Sequence, residues 1–252
     1  MTTTTREAPR AAALPHGTAM RLAAAEYQRW VDLLRSLRAE DWAKPTECPG
    51  WDVRAMASHV LGMVDIAASY REQRRQIKLA RERGGVFIDE LTALQVEERA
   101  GMTPGQIVGG LAARAPKAAR RRRLTPGFVR RRRLDPPQRV GDRDEPWTIG
   151  YLFDVILTRD PWMHRVDVVR ATGAEHVLTA DHDGVLVADV VAEWADRHGE
   201  PCTLRLTGPA GGSFESAHGG PVIEMDAVEF CRVLCGRGSA RAEGLLDTFV
   251  PF

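Results

Sequence analysis

The segment from Ile149 to Asp167 constrains the chain more than any other. Ile149, Phe153 and Ile156 recur at spacings of four and three, the period of one helix face. Continued at that period, the apolar stripe reaches Asp160 and then His164. An acid and an imidazole thus stand where the pattern asks for core side chains. Their i, i+4 spacing points both to one side of a helix. Burying an unpartnered carboxylate is costly, so another part of the chain or a ligand must meet it. A divalent cation is one partner that suits an Asp and a His so spaced. Hydrogen bonding within a packed core is the other. The helix is expected to begin at Trp147-Thr148, with Thr148 as cap, and to end near Gly173.

A chain of 252 residues, 44% hydrophobic and 27% charged, suits a soluble globular protein of one large domain or two ordinary ones. A net charge of +1 gives no global attraction to nucleic acid or to an anionic membrane. No uninterrupted apolar run approaches the ~20 residues of a membrane helix, so no membrane association is expected. Met1 to Arg10 is Thr-rich and lacks an apolar signal core, which predicts a disordered start and a cytoplasmic protein. Cys48, Cys202, Cys231 and Cys235 show no C-x-x-C spacing. That argues against a zinc knuckle and a disulfide framework.

Residues 17 to 39 read as a first long helix, with Leu22, Tyr27, Trp30, Leu34 and Leu37 on its apolar face. Two prolines and Gly50 mark the next loop, and Asp52 can cap a helix that starts after it. This second helix is expected from Val53 to the low eighties, with Met56, His59, Met63 and Ile66 on one stripe and a solvated tail from Tyr70 to Arg83. His59 is again a polar side chain at a core position. Gly84-Gly85 breaks the chain; helices are expected over Phe87 to Arg99 and Gly105 to Arg120. Residues 120 to 147, with Arg quartets at Arg120 to Arg123 and Arg130 to Arg133, read as a long connection. Beyond Gly173, another helix is expected over Asp181 to His198. Strands are expected at Thr203 to Thr207, Ser213 to Ala217 and Val222 to Met225, with a last helix from the Asp226/Glu229 capping pair to about Cys235. The expected organisation is a disordered 1–16, a helix bundle over 17–178 and a small α+β domain over 179–252.

Two imidazoles and a carboxylate at His59, Asp160 and His164 can hold one divalent ion, with positions left for water or ligand. Asp167, about two turns beyond Asp160, either holds an imidazole or pairs with Arg170. Cys48 reads as a small buried hydrophobe rather than a nucleophile. Trp51 and Trp162 read as core or pocket walls, and His218 as a turn residue.

Pro45-Thr-Glu-Cys-Pro-Gly-Trp51-Asp-Val-Arg with His59 after it, and Arg159-Asp160-Pro-Trp-Met-His164-Arg-Val-Asp167, resemble two signatures of the mycothiol-dependent maleylpyruvate isomerase family. Ile223 to Arg237 resembles that family's C-terminal domain. The likeness covers about 17 to 252. It implies a DinB-like four-helix bundle and, after it, a small α+β, sterol-carrier-protein-like domain. It implies a divalent metal, zinc first with nickel, iron or manganese also accepted, on His59, Asp160 and His164. It also implies mycothiol as cofactor, a small electrophilic or carboxylate-bearing substrate, and a C-terminal arginine as carboxylate clamp: Arg237 ahead of Arg232. The family pattern has Glu where Asp160 stands. Pro161 is a second departure, and a kink there would either open the metal face or spoil the i, i+4 pair.

Three functions are compatible with these residues. The first is a metal- and mycothiol-dependent isomerase or S-transferase. The second is a non-catalytic metal- or ligand-binding paralogue. The third, disfavoured because no aromatic residues interleave the Arg quartets, is a nucleic-acid binder. Oligomeric state is left open.

Overall fold

The computed structural model describes residues 8–237 and 244–252. The protein is mainly helical, a helix bundle with a small α+β portion. By its contacts the chain divides into two compact units. One holds residues 16–125 and 160–176. The other holds the described residues of 1–15, 126–159 and 177–252. Residues 126–159 thus group with the C-terminal segment.

In the helical unit, α1 (His16–Ser36), α2 (Val53–Ala68), α3 (Tyr70–Arg83), α4 (Phe87–Arg99) and α5 (Pro104–Arg123) are joined by the 160–172 part of α8 (Leu157–Thr172). Trp30, Met56, Val60, Leu61, Ile107, Leu111 and Val168 share one buried apolar cluster. Asp52 caps α2 as expected, its Oδ1 accepting from the Ala55 N–H at 2.8 Å. Inside the bundle, Arg165 donates to the buried Glu26 carboxylate at 2.7 Å.

The expected single helix from Val53 to the low eighties is two helices. Ser69 lies between them in extended backbone (φ −142°, ψ 123°), and its side chain accepts from the Glu72 N–H. Ser69-Tyr-Arg-Glu72 has the residue spacing of a capping box, a local stop and start that outweighs the continuing polarity pattern. The break lets α3 fold back, so Gln76, on the stretch expected to be solvated, is fully buried.

In the other unit, the expected long connection is structured. It contains α6 (Gly127–Arg130) and an antiparallel hairpin of β1 (Gln138–Val140) and β2 (Arg143–Glu145). Arg10, assigned by its sequence to the disordered start, is held here: its N–H donates to the Pro146 carbonyl and its own carbonyl accepts from Thr148. Met1 to Thr5 and the two residues after them lie outside the described residues. The Arg quartets do not form one solvated block. Arg121 donates to the Ile66 carbonyl at the end of α2, Arg122 is buried against the Tyr27 hydroxyl, and Arg130 pairs with Asp154 at 2.6 Å.

The chain then runs through α7 (Ile149–Tyr151), capped by Thr148, a wider π turn over Leu152–Ile156, and α8. The π turn explains how Pro161 is accommodated. The proline lacks the N–H that would bond the Leu157 carbonyl, and its ring crowds that group. The π turn ends at Leu157, whose ψ of 6° takes it off helical geometry, and α8 runs on through Pro161 without a break. The π turn also shifts the register of the apolar stripe. Ile149 and Phe153 are only half-buried, whereas Asp154 and Val155 are buried.

After α9 (Val185–His198) come β3 (Cys202–Thr207), β4 (Gly212–Ser216) and β5 (Val222–Asp226) in the order β4-β3-β5, with β4 antiparallel and β5 parallel to β3. Asp226 caps α10 (Ala227–Leu234), as the sequence predicts.

Candidate metal centre

α2 supplies His59 and α8 supplies Asp160 and His164, three residues that the structure brings together. Asp160 Oδ1 lies 3.3 Å from His164 Nε2, and Asp160 Oδ2 lies 3.6 Å from His59 Nε2. One ligand atom from each residue falls within 4.8 Å of the other two. Donors bound to one tetrahedral ion at ~2.0–2.1 Å stand roughly 3.3 Å apart, so this set fits a shared cation with little movement. The shorter Asp in place of Glu therefore still reaches both imidazoles, and Pro161 leaves the i, i+4 pair intact.

Each ring is oriented from its far side. His164 Nδ1 lies 3.1 Å from Asp167 Oδ2 and donates to that carboxylate. His59 Nδ1 donates to Gln95 Oε1 of α4 at 2.8 Å. Both Nε2 atoms thus face Asp160, the arrangement of metal-binding imidazoles. Of the two roles open to Asp167, the structure shows the imidazole partner; Arg170 instead donates to Glu47. Cys48 donates to the same Asp167 oxygen at 3.7 Å. Trp51 walls the site, its ring centroid 5.3 Å from that of His59 and 6.1 Å from that of His164.

The two imidazoles are nearly buried, and the Asp160 side chain is 21% exposed, so the carboxylate marks the open side. Burial opposes charge on both Asp160 and His164, but their attraction outweighs it. The carboxyl is held well below the usual carboxylate range and the imidazole is raised well above its ordinary value. A cation bound there would take the place of the proton on His164 Nε2.

Arg232 and Arg237 belong to the other unit. Arg232 is buried and ion-paired with Glu229 on its own helix, while Arg237 donates to Cys235 Sγ at 3.1 Å. Gln95 and Gln76 are absent from the sequence expectations. Gln95 nevertheless sits one and four residues after Leu94 and Leu91 on the buried face of α4, the same kind of signal that singles out His59.

The sequence model of the family described as "Mycothiol maleylpyruvate isomerase N-terminal domain" matches residues 23–169. Two solved structures share the fold. One is of the mycothiol-dependent maleylpyruvate isomerase, at 17% identity with a TM-score of 0.57. The other is of a histidine-to-alanine mutant under the same name, at 16% identity with a TM-score of 0.56. Each alignment covers 89% of this chain and 90% of the other. A comparison with curated proteins gives no match. With the family's domain spanning more than half of its length, the chain belongs to the mycothiol maleylpyruvate isomerase family, and the protein is an enzyme of the isomerase type.

Proposed function

We propose that the protein is a mycothiol-dependent isomerase that holds a divalent cation, zinc before nickel, iron or manganese, on His59, Asp160 and His164. The observation that carries this reading is the convergence of three donors whose imidazoles both keep Nδ1 occupied elsewhere. When bound, the ion supplies Lewis acidity that favours the thiolate form of the thiol. Asp160 lowers the net charge of the site and leaves its exposed side toward the incoming molecules. Trp51 stands against both imidazole rings as an apolar wall of the site. The substrate class we favour is a small electrophile bearing a carboxylate, as the name of the similar solved structures suggests. Arg237 is the proposed carboxylate clamp in preference to Arg232, whose guanidinium is buried with Glu229.

The test joins elemental analysis to turnover. Purified wild-type protein is expected to carry about one divalent ion per chain and a His164→Ala variant far less. Maleylpyruvate should isomerise only when mycothiol is added. Metal uptake without turnover points to a binding paralogue, and accumulation of a thiol adduct points to an S-transferase. Equal metal content in the two proteins overturns the site.

A further inference from the structure

We infer that a relay of three side chains, Gln95, Gln76 and Glu72, sets the tautomer of His59 and thereby prepares its Nε2 to bind a cation. The inference rests on the metal centre proposed above and assigns positioning residues to it.

The hydrogen bonds fix the direction of every amide in turn. Gln76 Nε2 lies 2.9 Å from Glu72 Oε1 and 3.4 Å from the Gly62 carbonyl, two groups that only accept, so this end of Gln76 is its NH₂. Gln76 therefore presents Oε1 to Gln95, whose Nε2 lies 2.9 Å away and donates. That leaves Gln95 Oε1 toward His59 Nδ1 at 2.8 Å, where it accepts. The proton must sit on Nδ1, and the lone pair on Nε2. Arg75 anchors the far end. It donates to Glu72 at 2.5 to 3.2 Å and to Glu98 of α4 at 2.6 and 2.7 Å, which ties α3 to α4.

Two further features serve the same geometry. Gln95 and Gln76 are both fully buried, so neither amide has water as an alternative partner. Gly62 leaves room for the Gln95 stem: a Cβ there would lie 2.5 to 2.7 Å from Gln95 Cβ, Cγ and Cδ. The missing methyl on α2 is thus where α4 brings its amide to His59. The two imidazoles are oriented unequally, His164 by a carboxylate on its own helix and His59 by a neutral amide on another. An amide that can turn around needs a second residue to hold its direction, whereas a carboxylate accepts from either oxygen.

The test compares wild type with Gln95→Leu, Gln76→Leu and Gln95→Glu. Two readouts are used: the ring-nitrogen NMR spectrum of His59 after chelator treatment, and zinc affinity by chelator competition. Thermal midpoints identify any variant that fails to fold. Wild type is expected to show the Nδ1–H form. Gln95→Leu should lose it, with zinc affinity falling roughly 10-fold or more. Gln76→Leu, which removes no contact to His59, should mix the tautomers because the Gln95 amide is free to turn. Gln95→Glu keeps an acceptor and should retain Nδ1–H. An Nδ1–H spectrum and unchanged zinc affinity in both leucine variants would overturn the relay. Wild-type protein that takes up no zinc would overturn the functional reading instead, and the ring-nitrogen spectra would then decide the relay alone.

Discussion

His59 and His164 are both visible in the sequence as polar residues at core positions, but the residues that orient them are not equally visible. Asp167 lies on the same helix as His164, so local spacing offers it as a partner. Gln95 reaches His59 only because α2 and α4 pack together, a contact that no local pattern encodes. Asp167 also carries the sharper residue-level prediction. Its buried carboxylate accepts from His164 Nδ1. Replacing it with Asn keeps an acceptor but removes the charge that makes the imidazole a stronger donor. Asp167→Asn is therefore expected to weaken zinc binding by roughly 10–100-fold, measured by chelator competition, with little loss of helix content by circular dichroism.

At the scale of elements, the boundary at Ser69 matters most. Without it α2 would run on, and Gln76 and Glu72 would point to solvent instead of folding back toward Gly62 and Gln95. The signal is present as Ser69-x-x-Glu72 inside a continuous polar-apolar pattern, and the pattern masks it. Ser69→Ala removes the acceptor for the Glu72 N–H and should cost about 1 kcal/mol, read as a lower urea midpoint at unchanged slope. The segment before Asp160 misleads in a different way. The stripe of Ile149, Phe153 and Ile156 points to the correct residues, yet the π turn shifts its register before it reaches them. Asp160 and His164 keep their relation because i, i+4 spacing inside α8 is local and survives whatever precedes Leu157.

At the scale of the molecule, the unit that gathers residues 126–159 with the C-terminal segment is held by a buried network centred on Arg159, which opens the second signature, while its partners lie outside the signatures. Arg159 donates to Asp189 at 2.6 Å and to Glu193 at 2.8 Å; Glu193 also accepts from Tyr151 at 2.6 Å and from Arg197 at 2.6 Å. Burial opposes ionisation of Glu193, but Arg159, the Tyr151 hydroxyl and Arg197 outweigh it, and the carboxyl is held below its usual range. A carboxylate depressed by folding stabilises the protein above its unfolded pKa, and that contribution is lost as pH falls through the lower folded value. The thermal midpoint should therefore drop as pH is lowered beneath the ordinary Glu range. Glu193→Gln should be less stable at neutral pH by about 1–3 kcal/mol, because Arg159 keeps Asp189 and Arg197 keeps Glu145 but both lose a charged acceptor, and should show a flatter acid limb. Among the described residues no helix is long and apolar enough to cross a membrane. The sequence by itself determined local features: helix periods, the caps at Asp52, Thr148 and Asp226, the strands of the small sheet, and an acid and an imidazole one turn apart on α8. Their meeting with His59, and His59's with Gln95, was decided only by tertiary structure. Those pairs are distant in sequence, and the packing of α2 against α4 and α8 depends on the whole apolar core rather than on any one segment.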